Sequence, residues 1–156
     1  AFAMTGWRLG YVCAPPEIDD AMFKIHQYAM LCAPITSQYA GIEALTDGFA
    51  DGFSAVEEMR DAYDKRRRFV LSSLSEIGLS CFEPKGAFYA FPSVASTGLD
   101  SETFAEKLLK EQKVAVVPGT AFGSFGASNV RLSYATGMSQ LNEAFERMSE
   151  FMKNYR

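Results

Sequence analysis

A long helical pattern between residues 54 and 78 constrains the fold of this chain more than any other feature. Ser54 and Glu57 have the spacing of a capping box, which begins many helices, and Gly78 is a typical end. Positions on one face recur at three- and four-residue steps for roughly six turns. They are Val56, Met59, Tyr63, Arg67, Val70, Leu74 and Ile77. A helix of this length is too long for one small subdomain, so we expect a domain boundary inside or near it.

The expected boundary gives three parts: residues 1–52, a linking helix over residues 53–78, and a small domain over residues 79–156. Of the 156 residues, 48% are hydrophobic and 22% are charged, which is typical of a globular chain with a sizeable core. The net charge of −4 argues against nucleic acid or an anionic membrane surface as a partner. No apolar stretch approaches the roughly 20 residues that a membrane-spanning helix needs.

The segment over residues 7–12 alternates between two faces and predicts a largely buried strand. Arg8 lies on one face beside Gly10, which has no side chain, so there is room for a ligand next to a fixed positive charge. A buried cation needs an anionic or well hydrogen-bonded partner. The residues alone leave two possibilities, an anionic ligand and an internal salt bridge, and slightly favour the salt bridge.

Two helices are predicted next. Pro16 and the acidic residues after it begin a helix that runs to about Cys32 and packs its apolar stripe on a core. A second helix covers residues 38–45 and stops at Gly48, with Thr36 and Ser37 as its cap. The only histidine, His26, has no acidic or thiol partner at a useful spacing, so we interpret it as structural. The three cysteines have apolar neighbours and are expected to be buried, reduced thiols: Cys13, Cys32 and Cys81.

After Gly78 the sequence changes to short strands and helices, which predicts an α/β sandwich. We expect residues 79–82 and 87–91 to form an antiparallel pair, with the aromatic residues of the second strand mostly in the core. A helix ending near Gln112, a strand over residues 114–117, and a helix capped by Ser139 complete the pattern. In the strand over residues 129–135, Arg131 projects on the face opposite Val130 and Leu132.

Four motifs, in order, resemble those of the class I/II aminotransferases, which are pyridoxal-phosphate enzymes of fold type I. The first is Ala-Met-Thr-Gly-Trp-Arg-Leu-Gly-Tyr at residues 3–11, and the second is Pro-Lys-Gly-Ala-Phe-Tyr-Ala-Phe at residues 84–91. Val-Pro-Gly-Thr-Ala-Phe-Gly follows at residues 117–123 and Val-Arg-Leu-Ser-Tyr-Ala at residues 130–135. The resemblance covers the whole chain and implies the C-terminal portion of that fold: the tail of a large cofactor domain, then a small domain with a mainly antiparallel sheet.

The resemblance also implies roles for individual residues. Arg8 matches the arginine that binds the phosphate of pyridoxal 5'-phosphate, which places the Schiff-base lysine immediately before Ala1. Arg131 matches the arginine that binds the substrate's α-carboxylate. Thr36 and Ser37 match a turn near the neighbouring subunit's cofactor, although plain capping is the better interpretation. The loop over residues 118–129 either closes over substrate or is a surface connection.

The resemblance implies a cytoplasmic homodimeric enzyme that moves an amino group between an L-amino acid and a 2-oxo acid, in the aspartate, aromatic and alanine-like group. The expected lysine lies outside residues 1–156, so we predict that the isolated chain is inactive. Two alternatives stay open. One is another fold type I enzyme, such as a carbon-sulfur lyase or a synthase, and the other is a non-catalytic binding or dimerisation module.

Overall fold

The computed structural model describes residues 1–155, and the chain divides into two compact units. The first is Ala1–Met59 and the second is Arg60–Arg156, so the division falls inside the long helix. Each unit is described by itself. Within the described residues, every helix is too short or too polar to span a lipid bilayer.

The first unit begins with a short 3-10 helix, Thr5–Trp7, where a strand was predicted over residues 7–12. Arg8 ends that helix with a left-handed φ of 52°, and no strand occurs among the residues of this unit. The strand prediction was therefore wrong. A strand needs a neighbour to pair its backbone N–H and C=O groups, and this unit offers none.

Helix α1, Pro16–Ala29, begins where proline and the acidic residues Glu17 and Asp19 predicted. It ends before Cys32, and the backbone N–H of Met30 donates to the carbonyl of His26 in the last turn. None of its residues is buried. The expectation that its apolar stripe packs on a core was therefore wrong for this unit, which contains no sheet to cover that stripe.

Helix α2, Ile35–Asp51, is longer than predicted at both ends. Thr36 and Ser37 lie in its first turn and do not cap it, because the N-cap is Pro34. The helix continues through Gly48, whose missing side chain leaves room for the ring of Phe53: a Cβ there would lie 2.4 Å from that ring. Gly52 then ends the helix with a φ of 72°, which glycine adopts without a steric penalty.

Helix α3, Ser54–Glu76, confirms the pattern from which the sequence analysis began. The hydroxyl of Ser54 donates to the carboxylate of Asp51 over 2.6 Å. Two residues of the predicted periodic face, Val70 and Leu74, lie in the second unit and are fully buried in its core. The left-handed Gly78 follows, with a φ of 82°.

The second unit contains a three-stranded antiparallel sheet in the order β1-β3-β2. Strand β1 is Tyr89–Ala90, β2 is Val117–Pro118, and the central β3 is Val130–Ser133. The expected pairing of residues 79–82 with residues 87–91 was wrong, because residues 79–82 form no strand. Instead β1 pairs with β3, with Tyr89 opposite Ser133. Pairing with β3 places Ala90 of β1 opposite Leu132, and both residues are buried.

Helices α4, Ser101–Gln112, and α5, Met138–Met152, complete the core of the second unit. The N-cap of α5 is Gly137, so the expected Ser139 cap was wrong, although the apolar stripe of α5 is buried as predicted. Phe104 of α4 meets Phe151 of α5 edge to face, with ring centroids 5.4 Å apart. The α/β class with a small antiparallel sheet is therefore confirmed.

Replacing Asp100 by alanine is expected to lower the Tm of the protein by several degrees at neutral pH. The Asp100 carboxylate caps α4, accepting from the backbone N–H groups of Thr103 over 2.8 Å and Glu102 over 3.0 Å. The bonds from Thr103 hold the pKa of Asp100 below its ordinary value. Its contribution is therefore full above about pH 4 and is lost as the pH falls through the lower pKa of the folded state.

Thermal unfolding followed by circular dichroism from pH 7 to pH 2 measures this effect. Asp100→Asn is the control, since an amide oxygen also caps helices and should keep most of the Tm. A difference in Tm between the wild type and Asp100→Ala that stayed constant down to pH 2 would contradict the assignment.

Candidate functional site

Arg131 lies in the middle of the central strand of the second unit, on the face that the sequence predicted. Val130 and Leu132, its neighbours along β3, are buried, whereas Arg131 is half-buried and Ser133 is exposed on the other face. The alternation of the strand was therefore predicted correctly. Because β3 is the central strand of the sheet, the backbone that carries the Arg131 side chain is held in place.

Two aromatic rings contact the guanidinium of Arg131. Its Cζ lies 4.4 Å from the centroid of the Tyr89 ring and 4.8 Å from that of the Phe122 ring. Both distances are within the range of cation–π attraction. Tyr89 was expected in the core, but 37% of its surface is exposed. Neither contact was predicted, since neither residue has a spacing to Arg131 that signals one.

The loop that carries Phe122 is fixed by two glycines. It consists of two 3-10 helices, Gly119–Phe122 and Ser124–Gly126, whose backbones approach closely. A Cβ on Gly119 would lie 2.1 Å from the carbonyl oxygen of Gly126, so a side chain does not fit there. The backbone N–H of Gly119 donates to the carbonyl of Asn129 over 2.8 Å, and the N–H of Asn129 donates to that of Gly126 over 2.9 Å. These contacts hold the backbones of Gly119, Gly126 and Asn129 together.

Arg131 forms no ion pair with any carboxylate in residues 1–155. The two rings cover part of the guanidinium, but neither neutralises its charge. A planar guanidinium can meet a carboxylate with two parallel hydrogen bonds, which an ammonium group cannot reproduce. This arrangement can therefore bind and orient a carboxylate.

Arg8 belongs to the first unit and is exposed. Its Nη1 donates to the carbonyl of Thr5 over 3.0 Å, and none of the carboxylates in the described part of the chain pairs with it. The internal salt bridge that the residues slightly favoured is thus absent within residues 1–155. Ser37, a weaker candidate, is buried, and its hydroxyl donates to the carbonyl of Trp7 over 2.6 Å. Thr36 is exposed in the first turn of α2.

A second group of charges lines an open cleft of about 600 Å³ between α3 and residues 83–87. Arg67 donates to Asp64 over 2.7 Å and to Glu83 over 2.6 Å, and Lys85 also donates to Glu83. Hydrogen bonds lower the pKa of both carboxyls, chiefly from Arg67 at Asp64 and from Lys85 at Glu83. Because the positive and negative side chains of this group pair with one another, we interpret them as structural ion pairs that join α3 to residues 83–87.

The cysteines differ from their expected burial. All three are free, but Cys13 and Cys32 are exposed and Cys81 is half-buried. Apolar neighbours in the sequence predicted burial, but the segments around Cys13 and Cys32 lie on the surface of the first unit. Burial does raise the pKa of the Cys81 thiol, which disfavours its reactive thiolate form.

The fold and the four motifs define one class of protein. The family model for aminotransferases of class I and II matches residues 1–148, and the chain belongs to this family. It is 56% identical over 152 residues to the protein YugH of Bacillus subtilis, and 50% identical over 152 residues to an aspartate aminotransferase of Pyrococcus abyssi. These alignments cover 97% of the chain but only 38% and 39% of the relatives.

A solved structure agrees with this assignment. The crystal structure of the aromatic aminotransferase from Pyrococcus horikoshii matches with a TM-score of 0.89 and 51% identity, over 98% of this chain and 40% of that one. The resemblance stated from the motifs is therefore confirmed at the level of family and fold. The chain spans about two fifths of the length of these relatives.

Proposed function

We propose that the protein containing this chain is a pyridoxal-phosphate-dependent aminotransferase of fold type I. It moves an amino group between an L-amino acid and a 2-oxo acid, with substrates in the aspartate, aromatic or alanine-like group. The observation that carries the proposal is Arg131: a guanidinium with no carboxylate partner in the described residues, in a chain of the aminotransferase family. The proposal includes three parts: the end of the large cofactor-binding domain over residues 1–52, a helix that links the two domains over residues 53–78, and the small domain over residues 79–156.

Arg131 binds the α-carboxylate that amino acids and 2-oxo acids share. The same arginine serves both substrates, because the α-carboxylate is unchanged when the amino group is exchanged for a carbonyl oxygen. Two parallel hydrogen bonds fix the direction of the carboxylate and so orient the neighbouring Cα. Arg131 therefore supplies binding and orientation, and takes no part in proton transfer.

Arg8 would hold the cofactor's phosphate. Its exposed guanidinium donates to one backbone carbonyl and has no acidic partner among residues 1–155, which suits a phosphate ligand. The bound cofactor supplies an electron sink for the charge that develops when Cα loses its proton. Thr36, exposed in the first turn of α2, is a weaker candidate for a neighbouring subunit's phosphate, while the Ser37 hydroxyl is already used.

The proposal includes a homodimer in the cytoplasm. Free thiols at Cys13, Cys32 and Cys81 support a reducing compartment. The large apolar side chains exposed on α1 and α2 are of the kind that the rest of the large domain or a second subunit would cover. They include Phe23, Ile25, Tyr28, Tyr39, Ile42 and Phe49.

The test follows an isotope through the full-length protein. Purified holoenzyme is mixed with 15N-labelled aspartate or phenylalanine and with 2-oxoglutarate, and both product amino acids and oxo acids are measured by mass spectrometry. We expect 15N in glutamate, in equal amount to the oxo acid formed from the donor. Ammonia and pyruvate released from cysteine without an acceptor would instead identify a carbon-sulfur lyase. No product from any of these amino acids, in a protein shown to carry the cofactor, would favour a binding module.

A further inference from the structure

The rings that contact Arg131 come from both neighbours of β3 in the sheet. Tyr89 belongs to β1, and Phe122 lies in the 3-10 helix directly after β2. We propose that Tyr89 and Phe122 are positioning residues, which hold the guanidinium of Arg131 in one plane and leave its N–H edge for a carboxylate. The inference rests on the proposed function of Arg131 as the carboxylate-binding residue.

Tyr89 reaches Arg131 through the register of the sheet. It lies opposite Ser133, two residues along β3 from Arg131, so the two side chains are diagonal neighbours on the same face. The ring is supported by Phe88, with centroids 4.7 Å apart. The Tyr89 ring is partly exposed, and one of its contacts is with the guanidinium of Arg131.

Phe122 is held on the other side by its loop. Its ring meets Phe91 edge to face at 6.1 Å, and the close approach of Gly119 and Gly126 fixes the backbone that carries it. The hydroxyl of Thr120 also donates to Glu102 on α4 over 3.0 Å. The Phe122 ring therefore has a contact with Phe91 besides that with Arg131, and the loop that carries it has its own contacts.

The geometry of a guanidinium explains why rings and a carboxylate do not compete. All five N–H groups lie in the plane of the guanidinium. A ring that meets the face of that plane, as we infer for Tyr89 and Phe122, leaves the N–H edge free for a carboxylate. Rings that restrict the long arginine side chain reduce the conformational freedom that it loses on binding. Without the rings Arg131 would keep its charge, but its N–H groups would no longer be held in one direction.

The test compares variants of the full-length holoenzyme. Tyr89→Leu and Phe122→Leu each remove a ring, Tyr89→Phe keeps the ring and removes only the hydroxyl, and Phe82→Leu is the control. Phe82 is an exposed aromatic residue outside the loop that carries Phe122, and its ring has no contact with Arg131 among those described. The amino-acid KM and kcat are measured, with the Kd of two non-reacting carboxylates, maleate and 3-phenylpropanoate, by calorimetry.

Each leucine variant should raise the KM and the Kd about threefold to tenfold, with kcat within about twofold. Tyr89→Phe should keep the wild-type values, because its ring face is kept, and Phe82→Leu should not change them. The double leucine variant should differ from the product of the single effects, since both rings act on one guanidinium. A merely structural role would lower the Tm without this division between KM and kcat and without rescue by phenylalanine.

The outcomes separate this inference from the proposed function. If both leucine variants keep the wild-type Kd while Arg131→Leu weakens binding of the carboxylates, the positioning role is wrong and the function stands. If the wild type transfers no amino group but the ring variants still weaken carboxylate binding, the positioning role stands and the function is wrong. If Arg131→Leu leaves the Kd unchanged, the inference is overturned with the role of Arg131.

Discussion

Replacing Arg131 by leucine in the full-length protein is expected to raise the amino-acid KM by at least about 100-fold and leave cofactor retention unchanged. The substitution removes two charge-assisted hydrogen bonds to the carboxylate, each worth roughly 1.5–3 kcal/mol, and a tenfold change in affinity needs about 1.4 kcal/mol. Leucine keeps the apolar part of the side chain beside the rings of Tyr89 and Phe122, so the sheet should stay intact. Steady-state kinetics and cofactor absorbance measure the two effects.

Two control variants sharpen this experiment. Arg131→Lys keeps the charge but loses the planar group that meets the two rings, so we expect a KM between those of the wild type and Arg131→Leu. Arg8→Leu should have the opposite effect, with weaker cofactor retention and an unchanged amino-acid KM at saturating cofactor. Unaltered amino-acid kinetics in Arg131→Leu would show that the α-carboxylate binds elsewhere.

The long helix α3 was predicted because its signals are local. Its periodic positions lie within a few residues of one another in the sequence. The face of β3 was also predicted, since alternation needs only one strand. The orientation of Arg131 was therefore readable from residues 130–135 alone.

Pairings between distant segments were not predictable in the same way. The sequence favoured a local hairpin between residues 79–82 and 87–91, but β1 pairs with β3, some forty residues away. Arg67 was placed on one face of the long helix by its spacing, but its partner Glu83 lies 16 residues further along the chain. Such partners depend on tertiary packing, which single-sequence periodicity does not encode.

The two rings at Arg131 illustrate this limit at the candidate site itself. Tyr89 and Phe122 are separated by 33 residues. Tyr89 contacts Arg131 from β1, and Phe122 contacts it from the 3-10 helix after β2. Their motifs were recognised, yet Tyr89 was assigned to the core because aromatic residues in short strands usually are. The outcome for the first unit is similar: the patterns of α1 and residues 7–12 indicated burial, which needs neighbours that this unit does not contain.

Replacing Phe104 by alanine is expected to lower the free energy of unfolding of the second unit by about 3–5 kcal/mol. The side chain is fully buried and packs edge to face on Phe151, so its removal leaves a cavity between α4 and α5. Amide hydrogen exchange of these two helices, measured beside chemical unfolding, reports the local loss directly.

Phe104→Leu and Phe125→Ala are the matched controls for this cavity. Leucine fills most of the space at residue 104 and should cost much less than alanine, while Phe125 is fully exposed and its replacement should change stability by less than about 0.5 kcal/mol. Phe104→Ala combined with Phe151→Ala should destabilise by less than the sum of the single effects, because both residues line one cavity. Equal protection of α4 and α5 in the wild type and Phe104→Ala would mean that this pair is not the centre of the core.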